Sequence, residues 1–220
     1  MRAQTTNDAL NRHVFSNDLN RRVFIKRALL LAALPALPLA AACAGGDAPA
    51  ASARAQDWAG AADAPKELSW RTTITAAHEP GEPLLMSGTI YEPDGRTPAR
   101  GVLLFVYHTD ATGYYNQPNR LPARLRGWMR TGADGRYEFR TIKPGPYPGR
   151  TDPAHIHATL TRADYPEYWI DSYWFAGDPR ITTAKLAQLS GRGGFDPIVK
   201  LTPDGQGGWR GGRDIKLQKV

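Results

Sequence analysis

Beyond residue 67 the chain alternates short apolar runs with clusters of glycine, proline and aspartate. Residues 84–91 (LLMSGTIY) are rich in strand formers and stop at Pro93-Asp94-Gly95, a turn signal. Residues 101–107 (GVLLFVY) are continuously apolar and short enough for a buried strand. Residues 127–131 and 136–141 flank Ala133-Asp134-Gly135, which predicts a hairpin. In Tyr137-Glu138-Phe139 apolar and charged positions alternate at strand period. Residues 154–160 and 198–201 add further strands, and the aromatic-rich stretch 165–175 (YPEYWIDSYWF) reads as core strand or pocket wall. The helix candidate is 182–189 (TTAKLAQL), ended by Gly191. The pattern predicts a mainly β fold: a β-sandwich of antiparallel or mixed strands, with long connecting loops and little helix.

The first 43 residues have a different pattern. Asn20-Arg21-Arg22-Val23-Phe24-Ile25-Lys26 is a twin-arginine pattern, and an apolar run over 28–42 follows it. That run is short for a bilayer and contains Pro35 and Pro38. Residues 1–43 therefore read as a signal peptide for the twin-arginine export machinery, and the expected location is the periplasm. Cys43 is the only cysteine, which excludes an intramolecular disulfide. It stands where a lipoprotein would carry its lipid anchor, and ordinary cleavage after Ala42 is the equal alternative. Residues 44–66 read as a flexible tether, and 67–220 as one domain. Of the net charge of +7, the leader's six basic and two acidic residues carry +4. The remaining +3 and the lack of a binding motif argue against a nucleic-acid partner.

Candidate chemistry sharpens the picture. On a strand over 154–160, His155 and His157 project to one face. A His-x-His pair alone reads equally as two hydrogen-bonded surface histidines. Tyr147 lies just upstream in Lys143-Pro144-Gly145-Pro146-Tyr147-Pro148-Gly149, where prolines fix φ and glycines permit tight turns. The segment 109–115 (TDATGYY) offers Tyr115, beside Tyr114, after a glycine turn. Each tyrosine alone is equally a packing residue. Together, two phenols and two imidazoles suit a hard, oxidised metal such as ferric iron. Tyrosine ionises near pH 10, so holding two phenolates at pH 7 needs shifts of about three units each, about 4 kcal/mol apiece. A bound metal cation supplies that. Zinc prefers cysteine, histidine and carboxylates. Ferric iron with two phenolates and a hydroxide would be charge-neutral, which suits a partly buried site.

Residues 125–150 (LRGWMRTGADGRYEFRTIKPGPYPGR), followed by 153–157 (PAHIH), resemble the intradiol ring-cleavage dioxygenases, in particular their protocatechuate 3,4-dioxygenase branch. The similarity runs over 88–179. Its tyrosine-plus-HIH part is specific, whereas the surrounding turn pattern is shared with transthyretin-like modules. The resemblance implies a non-haem Fe(III) site in a β-sandwich, with Tyr115, Tyr147, His155 and His157 as ligands. Tyr115 is implied as the phenolate that stays bound and Tyr147 as the one that substrate displaces. It further implies an enzyme that inserts both atoms of O2 into a catechol-type diol. The ring would open between the hydroxyl-bearing carbons to a cis,cis-muconate-type product. The chain departs from the family pattern at several positions. Asp152 stands where an arginine is usual, and Arg150 is the candidate to replace it. Ser172 occupies the place of a glutamine, Gly149 that of a bulky aromatic, and Phe105 that of an acid. Two other readings share the fold: a non-catalytic transthyretin-like binding module in the periplasm, and a store for iron or copper. The four-residue ligand set separates the enzyme from the module, and oxygen uptake separates it from the store.

Overall fold

The computed structural model describes residues 60–119 and 121–219. The expected leader over 1–43, Cys43 and residues 44–59 of the expected tether lie outside them. In chain order the strands are β1 (Arg71–Thr73), β2 (Pro83–Tyr91), β3 (Leu103–His108), β4 (Leu125–Arg130), β5 (Arg136–Ile142), β6 (His155–Arg162) and β7 (Tyr165–Phe175). A one-turn helix α1 (Thr183–Leu186) precedes β8 (Ile198–Val199), β9 (Thr202–Pro203), β10 (Trp209–Gly212) and β11 (Ile215–Lys216). One sheet has the order β1-β5-β2-β10-β9, with β11 also on β2; the other runs β4-β3-β6-β7-β8. Antiparallel and parallel pairings both occur, so the expected mixed β-sandwich is what forms.

Two apolar clusters explain the sequence pattern. One fills the space between the sheets, with Met86, Ile90 and Phe139 facing Leu104, Val106, Ile156, Leu160 and Tyr173. The other lies on the outer face of the second sheet, where Phe105 and Tyr107 meet Tyr115, Ala123, Trp128 and Tyr147. Strand β3 is central to its sheet and covered on both faces, so every residue of it is buried. That is why the 101–107 run shows no alternation.

Three expectations need correction. The turn at Ala133-Asp134-Gly135 exists, with Gly135 at φ +67, but it does not close a hairpin. Strand β4 pairs with β3 and β5 pairs with β2, so this turn carries the chain from one sheet to the other. The tether also ends earlier than residue 66. The Ala61 N–H donates to both carboxylate oxygens of Glu167 at 3.1 Å, and the Trp128 indole N–H donates to the Gly60 carbonyl at 3.0 Å. These bonds pin residues 60–61 to the second sheet. The helix is shorter than 182–189; Thr182 caps it by accepting from the Lys185 N–H at 3.3 Å.

Candidate metal centre

The site lies on the outer face of the second sheet, under two interlocked loops. The first joins β3 to β4 and carries Tyr115. The second joins β5 to β6 and carries Tyr147. The Asp110 carboxylate shapes the first by accepting from the N–H groups of Thr112 and Tyr114 at 2.9 and 3.1 Å. This is local capping of the kind aspartate favours in turns. The loops then join backbone to backbone. The Gly145 N–H donates to the Asp110 carbonyl at 2.9 Å, and the Thr109 hydroxyl donates to the Gly145 carbonyl at 2.7 Å. Two glycines permit this approach. A Cβ on Gly113, which sits at φ +90, would lie 2.2 Å from the Pro146 carbonyl oxygen; one on Gly145 would lie 2.4 Å from that of Ala111.

The consequence is convergence. The Tyr115 and Tyr147 hydroxyls touch each other, and each lies 3.0 Å from His157 Nε2. His155 Nε2 is 3.0 Å from the same atom. Four side chains from two loops and one strand thus point their donor atoms at a common place. Strand β6 presents both imidazoles on one face as its period dictates, with the rings perpendicular and 4.4 Å apart. The His155 tautomer is set from behind. His155 Nδ1–H donates to the Pro153 carbonyl at 2.6 Å, which leaves Nε2 with its lone pair. His157 Nδ1 faces the Ser172 hydroxyl at 3.2 Å.

Burial governs the protonation of this cluster. It holds both imidazoles below their ordinary range, His157 far below, so both are neutral and fit to donate a lone pair. It pushes the Tyr147 hydroxyl up to about 12. Burial and the adjacent Tyr147 raise Tyr115 further. Two phenols this reluctant to ionise need a strong local cation to become ligands. The donor set fits a ferric ion: two oxygens able to carry charge, two neutral nitrogens and no thiolate. Among the described residues no three His, Cys, Asp or Glu side chains form a metal-holding group.

The remaining expected residues lie around the cluster rather than in it. Arg150 is exposed, with its guanidinium carbon 5.9 Å from the Tyr147 ring centroid. Its charge favours the ionised form of both phenols. Asp152 forms an ion pair with Lys185 of α1 at 2.6 Å. Phe105 is buried in the aromatic cluster, stacked 5.1 Å from Trp128. Tyr114 is not part of the convergence. Tyr107 and Trp169 were not singled out by motif. Tyr107 stacks on His157 at 4.6 Å, and Trp169 meets the same ring edge-on at 6.0 Å. Register would have found both: Tyr107 pairs with His157, and Trp169 pairs with Thr159, two positions along the same face.

Comparison with known proteins agrees with this architecture. The Dioxygenase family matches residues 59–193. Catechol 1,2-dioxygenase 1 of Acinetobacter lwoffii is 32% identical over 123 residues, 47% of this chain and 39% of that protein. The protocatechuate 3,4-dioxygenase beta chain of Burkholderia cepacia is 31% identical over 139 residues, 56% of this chain and 52% of that protein. The chain thus spans about half the length of these relatives or less. Among solved structures, the dioxygenase domain of a dioxygenase carbohydrate-binding protein fusion from Streptomyces sp. SirexAA-E superimposes with a TM-score of 0.54. It is 31% identical, and the match covers 71% of this chain and 92% of that one. The structure of catechol 1,2-dioxygenase from Acinetobacter sp. ADP1 shares the fold at 22% identity, with a TM-score of 0.56 over 74% of this chain and 60% of that one. A matched span covering well over half the chain, and its overlap with the Tyr/His cluster, establish that this protein belongs to the intradiol ring-cleavage dioxygenase family.

Proposed function

We propose that this protein is an Fe(III)-dependent intradiol dioxygenase acting on a small catechol-type diol and O2. The observation that carries the reading is the meeting of Tyr115 Oη, Tyr147 Oη, His155 Nε2 and His157 Nε2 at one point. Ferric iron held by these four side chains would act as a Lewis acid and template, favouring the dianionic form of a bound diol. The protein's residues divide the remaining work. Tyr147 is the phenol placed to exchange its proton, because it is partly exposed on its loop whereas Tyr115 is buried. Its Oη, once ionised as a ligand, would be the acceptor for one catechol proton, and a hydroxide from solvent would take the other. Tyr115, buried at 5% exposure, stays in place. Pro153 and Ser172 keep the imidazoles oriented. Arg150 takes over the role of the arginine that Asp152 replaces, by balancing negative charge on the substrate ring. Lys185 offsets the Asp152 carboxylate that would otherwise oppose it. Both atoms of O2 enter the product, a cis,cis-muconate-type dicarboxylate, so no external reductant is consumed.

The test is spectroscopic first. Purified protein should contain iron and show a visible tyrosinate-to-iron charge-transfer band, altered by Tyr115→Phe and by Tyr147→Phe. Oxygen uptake with catechol, protocatechuate and hydroxyquinol then separates an enzyme from a metal store. Colourless protein that takes zinc in preference to iron would sink the proposal. We also infer that the chain acts in the periplasm, from the twin-arginine pattern at residues 20–26 and the apolar run behind it. Cell fractionation, with Arg21 and Arg22 replaced by lysine, checks this; unchanged cytoplasmic retention of both forms would reject it.

A further inference from the structure

A second cleft backs onto the loop that carries Tyr147. It has a volume of about 830 Å³, and none of the four converging side chains lines it. Its wall includes Pro146 and Ala154, the residues immediately before Tyr147 and His155. The opposite wall comes from the ends of β7 and β8 and the start of β10. The volume lies within the range that holds a small organic ligand.

The chemistry of the lining is specific. Three cations reach it: Lys143, Arg180 and Lys200. Two acids reach it as well, Glu82 and Asp178. Asp178 is committed to backbone, accepting from the N–H groups of Ala154 and Arg180 at 2.9 Å each. Its contact with the Arg180 guanidinium is long, at 3.7 Å, as is that between Lys143 and Glu82. Pairs at that separation near solvent contribute little. Lys200 forms no ion pair among the described residues. The apolar part of the wall includes Leu201 and the Trp209 indole, over which Lys143 Nζ sits 5.6 Å from the ring centroid. Lys143 over the indole, and Lys200 with no ion pair among the described residues, put weakly held positive charge beside an aromatic surface, a setting that suits a flat ring bearing a negative group able to draw Lys143 aside.

We propose that this cleft is a second binding site, for a carboxylate-bearing aromatic molecule. The ring lies against Trp209 and Leu201, and the carboxylate is held by Lys200 and Lys143. An occupant rests against the peptide units that precede Tyr147 and His155, so the site is placed to bias the loop they sit on.

The probe is 4-methoxybenzoate, which has no vicinal diol and cannot chelate a metal as a catechol does. Calorimetric titration of the full chain, with and without iron, should show saturable 1:1 binding in both forms. The affinity should fall at least about tenfold in Lys200→Glu and in Trp209→Leu, a loss of about 1.4 kcal/mol. It should also fall with added salt, and 4-methoxybenzyl alcohol should bind far more weakly. Tyr115→Phe, which alters only the other cluster, should bind the probe as the parent does. No saturable binding up to about 10 mM, a range that would detect even millimolar affinity, overturns the proposal. So does binding that survives Lys200→Glu but is lost in Tyr115→Phe, since that places the probe in the catechol pocket. Neither O2 nor a diol enters the assay, so its outcome is independent of whether the protein is a dioxygenase.

Discussion

His108 shows how one residue ties this fold to pH. It is fully buried at the end of β3, with Nδ1–H donating to the Thr109 carbonyl and Nε2 accepting from the Thr141 hydroxyl, both at 2.6 Å. Burial depresses its pKa from 6.5 to about 4. Between these values the unfolded chain binds a proton that the folded chain refuses. The contribution to stability is therefore whole above pH 6.5, falls as pH drops through the window, and is gone below about pH 4. Its size is on the order of 3 kcal/mol. His108→Gln should be less stable than the parent at pH 7 yet show a flatter decline in its urea midpoint from pH 7 to 5. Identical slopes would reject the assignment. Arg150 is the other residue with a sharp consequence. A charge-assisted contact is worth about 1.5–3 kcal/mol, so Arg150→Ala should lower turnover about 10- to 100-fold while leaving the iron band in place. Arg150→Lys should recover little of this, because a point charge does not replace a planar fork. Unchanged turnover in the alanine variant would remove Arg150 from the mechanism.

At the scale of elements, the two tyrosine-bearing loops behave as one unit. Gly113 is the contact that makes them so, since any Cβ there meets backbone rather than a side chain that can rotate away. Gly113→Ala adds strain at φ +90 as well. The variant should fold, because both sheets lie elsewhere, but its iron content should drop severalfold and its visible band should shift. A variant with full iron and an unaltered band would show that the loops are not held in register by this contact. The same loops show what a sequence discloses. The strands of the second sheet were legible because their apolar runs and the β6 alternation are local patterns. The four converging residues were legible through short motifs. Strand β10 was not, because Trp209-Arg210-Gly211-Gly212 has no alternation and gains its place by parallel pairing with β2. The cross-sheet role of the 133–135 turn was hidden for a related reason: a turn signal states that the chain reverses, not which strand it will pair with. Contacts such as Ala61 to Glu167 and Asp178 to Ala154 join residues 106 and 24 positions apart, and no local pattern encodes them.

For the molecule as a whole, the placement of the four donors matters more than their identity. Tyr115 belongs to a loop within the second sheet, but the Tyr147 loop leaves β5 in one sheet and enters β6 in the other. A metal held by both loops, as proposed, would span the join between the sheets. Separating the sheets would break the ligand set, and the unfolded chain, with its donors scattered over 43 positions from 115 to 157, binds far more weakly. Linkage then makes metal affinity a contribution to folding. At a free metal concentration about 1,000 times the dissociation constant, the stabilisation is about 4 kcal/mol. For a domain of this size each kcal/mol moves Tm by about 2–4 °C. Iron-loaded protein should thus melt about 8–16 °C above the stripped form. Tyr147→Phe should lose part of that gap and His157→Ala most of it, while the stripped forms differ less from one another. If iron leaves Tm unchanged, or if the gap survives His157→Ala, the ion is held somewhere other than by these four side chains, and the chemistry assigned to them fails with it.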